Sequence, residues 1–484
     1  MPCPYKRMNV DVWLLTPEIL LAIWACVVLI VDLAMPSSAS RRPLLALSLL
    51  GIAGAALASF ALLGTNTTSF FGMLIIDNVS VFFKLLFLLA AALVVLASET
   101  FTEHGEFTAE FYGLILFCTA ALMLMASTNE LMSIYLSLET SSLSLALLAS
   151  WSKRELRSGE AGLKFFVLSA VSSAVLLFGM ALFYGVTGRT DLRAISQVLI
   201  TSSSPAALLA MSMVIAGLGF KIAAVPFQMW TPDVYEGAPT PITAYLSVAS
   251  KGAGFAVVIR IFEGALLGGA IQPVWMDLFV LLSLLTMTVG NLAALLQRNL
   301  KRMLAYSSIA HVGYMLMGLA AATTFGLSSV LFYLLVYAFT NIGAFAVVTV
   351  MARYVEGEDL EQYSGLARRA PVLSAILALC LLSLAGLPPL AGFFSKLYLF
   401  WAAAERGLYA TVTWGVINSA ISLYYYTRVI RQMYLAEPAT DSPVSVGLAP
   451  AVSLAAAALG VLAIGIFASP FIEAARGAAL IITR

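Results

Sequence analysis

The sequence has little charge, little histidine and no nucleotide-binding fingerprint. Lys, Arg, Asp and Glu make up 11% of its 484 residues, against about 25% in an ordinary soluble domain. That excludes a soluble enzyme, a disordered chain and a nucleic-acid binder. Lys and Arg number 26 and Asp and Glu 25, a net charge of +1, so no bulk electrostatic partner is implied. There are two histidines, His104 and His311, and four cysteines, Cys3, Cys26, Cys118 and Cys380. None of the cysteines falls in C-x-x-C spacing, so neither an iron–sulfur cluster nor a structural zinc held by this chain alone is expected. Three lie in apolar runs, where a thiol acts as a small hydrophobe. No G-x-G-x-x-G or P-loop run marks a nucleotide site. Long polar stretches are missing too: Thr187–Pro205, Arg353–Arg369 and Glu437–Pro443 are the longest, and none could fold as a domain.

What remains is apolar. Hydrophobic residues form 61% of the chain, with mean hydropathy +0.97. A membrane-spanning helix needs about 20 mostly apolar residues. Apolar blocks at 13–35, 43–64, 78–98, 108–126, 129–149, 161–185, 206–228, 242–262, 273–296, 302–322, 325–351, 371–403, 407–433 and 447–475 predict an all-α integral membrane protein of about fourteen spans. Lys6 and Arg7 precede the run Trp13–Met35, which is too long for a signal peptide and is interrupted by Glu18, so it reads as an uncleaved first helix. Thirteen Lys and Arg follow odd-numbered spans and eight, Arg260 among them, lie on the other side. Positive charge is retained on the cytoplasmic side, so both termini are expected outside.

Two spans are broken by proline. The seventh carries Pro226 in FKIAAVPFQMW, and the twelfth carries Pro388 and Pro389 in LAGLPPLAGFFSK. Proline removes a backbone hydrogen bond, and freed backbone groups survive at membrane depth only inside protein or beside water. The breaks are five spans apart. They divide the centre into two five-helix repeats, spans 4–8 and 9–13, the second inverted because five is odd. Interrupted helices at matching places of inverted repeats point to a transport site. The expected organisation is an N-terminal group at 1–107, a translocating core at 108–433 and a last span in 434–484.

Five lysines and no arginine are read inside the spans: Lys84, Lys164, Lys221, Lys251 and Lys396, with one mid-span acid, Glu139. Each charge at a helix centre costs about 2.5–3.5 kcal/mol on insertion scales. Lysine, unlike arginine, can give up its proton when buried, so this choice suits proton exchange. Lys84, near a span end, is explained by snorkelling. Lys164, near the start of span 6 and within reach of Glu160, is open to a structural or a functional reading. Lys221 lies one turn before the Pro226 break, Lys251 among small residues in SVASKGAGF, and Lys396 just after the Pro388–Pro389 break. Glu139 is too deep to snorkel, and could pair with a lysine. His311, in AYSSIAHVGY, is either a packing residue or a member of a proton relay with Tyr306, Ser307 and Ser308. Asp233 and Glu236 fall in the loop after span 7, either solvated or functional. Glu18 and Asp32, near the ends of span 1, are expected to face headgroups or a partner.

The run GFKIAAVPFQMWTPDVYEGAPTPITAYLSVASKGAGF at 219–255 resembles the signature of the antiporter-like membrane subunits of proton-translocating NADH–quinone oxidoreductase, respiratory complex I. SLETSSLSL around Glu139, NLKRMLAYSSIAHVGY at 299–314 and SLAGLPPLAGFFSKLYLF at 383–400 support the resemblance, which covers essentially the whole chain. Within that family the L and M subunits tend to read W-L-P-D-A where this chain reads Trp230-Thr231-Pro232-Asp233-Val234, and M carries a glutamate where this chain has Lys396. The chain therefore resembles a different branch.

The resemblance implies roles. Glu139 and Lys221 would be the glutamate–lysine pair of spans 5 and 7, Lys164 the modulating lysine, Lys251 the central connecting lysine, Lys396 the terminal lysine, and His311 a member of the hydrated axis between them. It implies no cofactor on this chain, with FMN and iron–sulfur clusters in partner subunits and quinone bound elsewhere. The partners would be other membrane subunits of the complex and the bilayer of a bacterial inner membrane. The alternatives are a subunit of a multi-subunit sodium–proton antiporter or membrane-bound hydrogenase, or a stand-alone solute transporter.

Overall fold

The computed structural model describes residues 10–36, 40–102, 107–200, 204–355, 357–438 and 444–480. Cys3, Lys6, Arg7, His104 and Arg484 lie outside the described residues. Among the described residues the regular structure is helical except for one antiparallel hairpin, Thr67–Ser69 with Leu74–Ile76. Helices follow from the medium: in hydrocarbon every backbone N–H and C=O must find a partner within the segment.

Among the described residues, twelve helices are long and apolar enough to cross a membrane, two fewer than the hydropathy blocks. Both differences lie after residue 370. The twelfth block is cut into Pro371–Ala385 and Ala391–Glu405, and the thirteenth, Tyr409–Leu435, is long but less apolar. The last block also splits, into Leu448–Ile466 and a separate helix Ala468–Ala479. Block numbers are kept below as span labels.

The two broken spans share one local design. Span 7 is Pro205–Ile222 followed by Trp230–Gly237, and span 12 is the pair just given. Each first half ends at a left-handed residue, Ala223 (φ 63) or Gly386 (φ 87). The next N–H reaches back to the last turn, Ala224 to the Gly219 carbonyl at 2.8 Å and Leu387 to Leu382 at 3.1 Å. This is a Schellman closure. A cis prolyl bond follows in each, at Val225–Pro226 and Pro388–Pro389. The carbonyls freed by the breaks are taken by side chains from the second halves. Trp230 Nε1 donates to Phe220 O at 2.9 Å, and Lys396 Nζ to Ala385 O at 3.0 Å.

The repeat recurs in backbone pairing. Glu130, before span 5 (Leu131–Ala149), bridges to Asp191 after span 6 (Leu156–Thr187). Asn299, before span 10 (Leu300–Ala320), bridges to Asp359 after span 11 (Thr324–Met351) with the same spacing to within one residue. The most apolar stretch of span 8, Thr240–Ala265, is wholly buried. Its small residues allow this: a Cβ on Gly254 would lie 2.6 Å from Ile222 Cγ2 and 3.2 Å from Lys221 Cγ, and one on Gly252 3.2 Å from Phe87. Two π-helical stretches, Leu246–Ser250 and Ile259–Ala265, bracket Lys251. Such stretches are frequent at functional sites.

Three sequence expectations are corrected. Lys84 does not snorkel: it is fully buried and pairs with Glu18 at 2.9 Å, so Glu18 faces span 3 and not headgroups. Asp32 binds Arg41 at 2.7 Å. Arg260 is not a loop cation. It is buried within span 8 and forks onto Asp77, at 2.5 Å and 2.7 Å, while its Nε donates to the Ala126 carbonyl at 3.2 Å.

Burial works against the Asp77 carboxylate, but the Arg260 charge and the bonds from Arg260 and Ser80 outweigh it and hold its pKa below the ordinary value of 3.8. The stabilisation is therefore complete above pH 3.8 and lost as pH falls through the lowered value. Asp77→Asn strands a buried guanidinium and is expected to remove about 3–5 kcal/mol. Thermal unfolding at neutral pH checks this, and an unchanged midpoint would refute it.

Candidate functional site

Of the lysines read from the sequence within the two repeats, Lys221, Lys251 and Lys396 are buried and Lys164 is partly exposed. Lys221, at the end of the first half of span 7, is buried and donates to Ser141 at 3.1 Å and Ser142 at 3.0 Å on span 5. Glu139, on the same helix, is half-buried and accepts from Ser173 of span 6. Glu139 is thus near Lys221 without pairing directly. The two serines, two and three residues on, take the place the carboxylate was expected to fill.

Lys164 lies elsewhere. Its side chain is 41% exposed and bridges Glu160 at 2.7 Å and Asp233 at 2.9 Å. Asp233 also binds Arg302 of span 10 at 2.8 Å, and Arg302 binds Glu236 at 2.8 Å. Asp233 and Glu236 are therefore bound to cations. Lys301 reaches Glu358 at 2.7 Å and the Glu236 and Ala238 carbonyls, each at 2.9 Å. The network ties the first repeat to the second around a 220 Å³ cavity lined by Glu160, Lys164, Asp233 and Arg302.

The Asp233 carboxylate sits between two cations, Lys164 at 2.9 Å and Arg302 at 2.8 Å. At neutral pH it is a fixed anion. Asp233→Asn should leave Lys164 with Glu160 alone and cause a partial loss of proton transfer, smaller than loss of a buried lysine. Protons moved per electron pair in vesicles is the measurement, and a wild-type ratio would separate this network from transport.

Span 8 links the first repeat to the second through Lys251. Lys251 Nζ donates to Ser308 of span 10 at 2.6 Å and lies 5.6 Å from the centre of the Tyr235 ring. The polar stripe on span 10 is real: Ser307 bonds Tyr426, and His311 bonds Tyr333 through Nδ1 and Tyr426 at 3.2 Å through Nε2. His311 and Lys396 line the same cavity of about 10 Å³, room for a single water. Lys396 is held by the Ala385 carbonyl and by Ser419 at 2.9 Å, 5.0 Å from the Tyr314 ring centre. Counted from the left-handed residues Ala223 and Gly386, Asp233 and Lys396 stand at the same place.

Sequence reasoning missed Arg260 and Glu263. Glu263 is buried at the end of span 8, and its Oε1 has no hydrogen-bond partner. Its only signal was an acid one residue past an apolar block. Among the described residues no cluster of His, Cys, Asp and Glu could hold a metal.

The family model described as NADH:quinone oxidoreductase/Mrp antiporter, TM matches residues 128–422. NADH-quinone oxidoreductase subunit N of Trichlorobacter lovleyi is 44% identical, covering 99% of this chain and 98% of its own. A chain of respiratory complex I from Thermus thermophilus superposes with TM-score 0.81 at 34% identity, covering 94% of this chain and 98% of that one. A chain of an archaeal membrane-bound sulfane sulfur reductase has TM-score 0.87 at 23% identity, covering 97% of each, a likeness of fold alone. The family model spans more than half of the chain and the relative aligns over nearly its full length, so this chain belongs to the family of NADH:quinone oxidoreductase and Mrp antiporter membrane subunits.

Proposed function

We propose that this chain is the N-type membrane subunit of an NADH–quinone oxidoreductase and that it moves protons across the membrane. Its relatives named subunit N align over nearly their full length, and the Trp230–Gly237 run departs from the W-L-P-D-A pattern of the L and M branch. One observation carries the transport reading: Lys221, Lys251 and Lys396 are all buried, and each is bonded to hydroxyls or carbonyls rather than to a carboxylate. A lysine so held has no permanent counter-charge and can pass its proton on. Glu139 supplies a nearby negative charge that favours the protonated state of Lys221, and loss of that influence favours release.

A proton taken up at Lys221 would pass to Lys251, which lies across the Gly254 contact. From there Ser308, Ser307, Tyr426 and His311 lead to Lys396, which delivers it to the far side. Lys164 and Asp233 border the uptake side. FMN, iron–sulfur clusters and quinone belong to partner subunits in this reading, so electron transfer there drives proton transfer here. The chain would sit in a bacterial inner membrane with its termini outside. Residues 1–107 would form an N-terminal group, 108–433 the translocating core and 434–484 the last segment.

Tagged purification in mild detergent tests the assignment. A coloured assembly that oxidises NADH with an artificial acceptor is expected. A colourless assembly of hydrophobic subunits without that activity would assign the chain to an antiporter.

A further inference from the structure

The two repeats end alike but are covered differently. In the first, Arg260 at the end of span 8 donates to the Ala126 carbonyl in the last turn of span 4, 134 residues away. In the second, Arg428 near the end of span 13 donates to the Leu295 carbonyl in the last turn of span 9, 133 residues away, at 3.0 Å. Its other terminal nitrogen donates to Gln297 O. Each repeat thus closes on an arginine from its fifth span that caps the carbonyl end of its first. The likeness stops at the carboxylate. Arg260 also forks onto Asp77, which caps the start of span 3, a helix outside both repeats. Among the described residues Arg428 has no acidic partner, and its Nε is buried without a hydrogen bond.

The packing differs in the same way. Spans 1 and 3 lie on span 4, and 78% of the apolar stretch of span 4 is buried, against 44% for span 9. Span 9 packs mainly on spans 10 and 13. It presents Leu281, Leu285, Leu292 and Leu296 as one exposed stripe at helical spacing. The residues at the matching places on span 4, counted from Ala126 as these are from Leu295, are Tyr112, Leu116, Met123 and Ser127. All four are buried.

We propose that the face of spans 9 and 13 around Arg428 is a docking surface for a membrane-spanning helix of a neighbouring subunit, one that brings an acidic residue to Arg428 as span 3 brings Asp77 to Arg260. The first repeat is the template: an apolar helix for the leucine stripe and a carboxylate at its end for the guanidinium. Arg298, next to the Gln297 carbonyl that Arg428 binds, and Arg431, one turn further along span 13, are both exposed and add positive charge. A forked Arg–carboxylate bond fixes position as well as attraction, so the contact sets the rotation of the incoming helix.

The proposal rests on the chain working within a multi-subunit membrane assembly. It is tested by placing a photo-crosslinking side chain at Leu285 and, separately, at Leu292, in the assembly in native membranes. Both positions are exposed, so the fold is not at stake. The expected result is an adduct with a helix of another subunit that carries Asp or Glu within a turn of the end nearer Arg428. Arg428→Gln should then reduce severalfold the amount of that subunit retained through detergent purification, with Arg428→Lys intermediate. Adducts with lipid alone at both positions, or full retention of the neighbour by the Arg428→Gln assembly, would overturn the inference. If the chain purifies with no other subunit, the functional reading fails first. If it purifies in a complex yet captures only lipid, this surface alone is wrongly assigned.

Discussion

Lys221→Ala reduces proton transfer through this chain by about a hundredfold or more, the range for loss of a positioned proton-transfer group. NADH oxidation by an artificial acceptor is expected to stay normal, because in the proposed reading the redox centres belong to other subunits. Protons pumped per electron pair in sealed vesicles is the measurement. Lys221→Arg is the informative companion: arginine keeps the charge but does not release its proton near neutrality. If the charge alone mattered, Lys221→Arg would pump. If proton exchange matters, it fails as Lys221→Ala does. Glu139→Ala also lowers pumping, by less, because Glu139 acts on Lys221 across a gap filled by Ser141 and Ser142. Full pumping by Lys221→Ala in a normally assembled complex would remove the site.

Lys396→Ala has an effect of the same order, for a different reason. Lys396 occupies the backbone break itself, bonded to the carbonyl that the break leaves free. Alanine removes the proposed proton carrier and leaves Ala385 O to Ser419, which lies 3.2 Å away, so the fold should survive. Gly386→Ala approaches the same place without touching the charge. Gly386 has φ 87, and a Cβ there would lie 2.9 Å from Lys396 Cδ. That strains the backbone by about 1–2 kcal/mol and displaces the lysine. Pumping is expected to fall in both variants while assembly persists. A Gly386→Ala complex that pumps normally would show that the position of Lys396 is loosely held.

The apolar blocks, both proline breaks and the buried lysines were legible because each is a local property of the chain. A run of about 20 apolar residues, a proline within it and a lysine near its centre need no knowledge of neighbours. Arg260 was illegible for the same reason: near a block's end it reads as a loop cation, and only Asp77, 183 residues away, makes it a buried one. Lys84 was misread because Glu18 lies in another span. The Glu139–Lys221 geometry could not be had from spacing, since the intervening serines are ordinary residues of a helix face. The count of about fourteen spans is not confirmed: the broken block 371–403 consists of two short helices, Gly386 ending one and Ala391 beginning the other, and Tyr409–Leu435 is less apolar than the rest. The π-helical stretches around Lys251 leave no mark in the sequence.

The shared place of Asp233 and Lys396 has a consequence for direction. An inverted duplication alone is a two-way device: turned over, it presents the same face to the other side of the membrane. Its geometry gives a proton no reason to prefer one way across. The preference has to be written in what differs between the copies. Here one copy carries Asp233, an acid held between two cations, and the other carries Lys396, a base held only by a carbonyl and a hydroxyl. In the proposed reading the scaffold supplies the passage, and this mismatch of chemistry at mirrored positions makes its two ends unlike, so that a driving force applied at one end acts on different chemistry from one applied at the other.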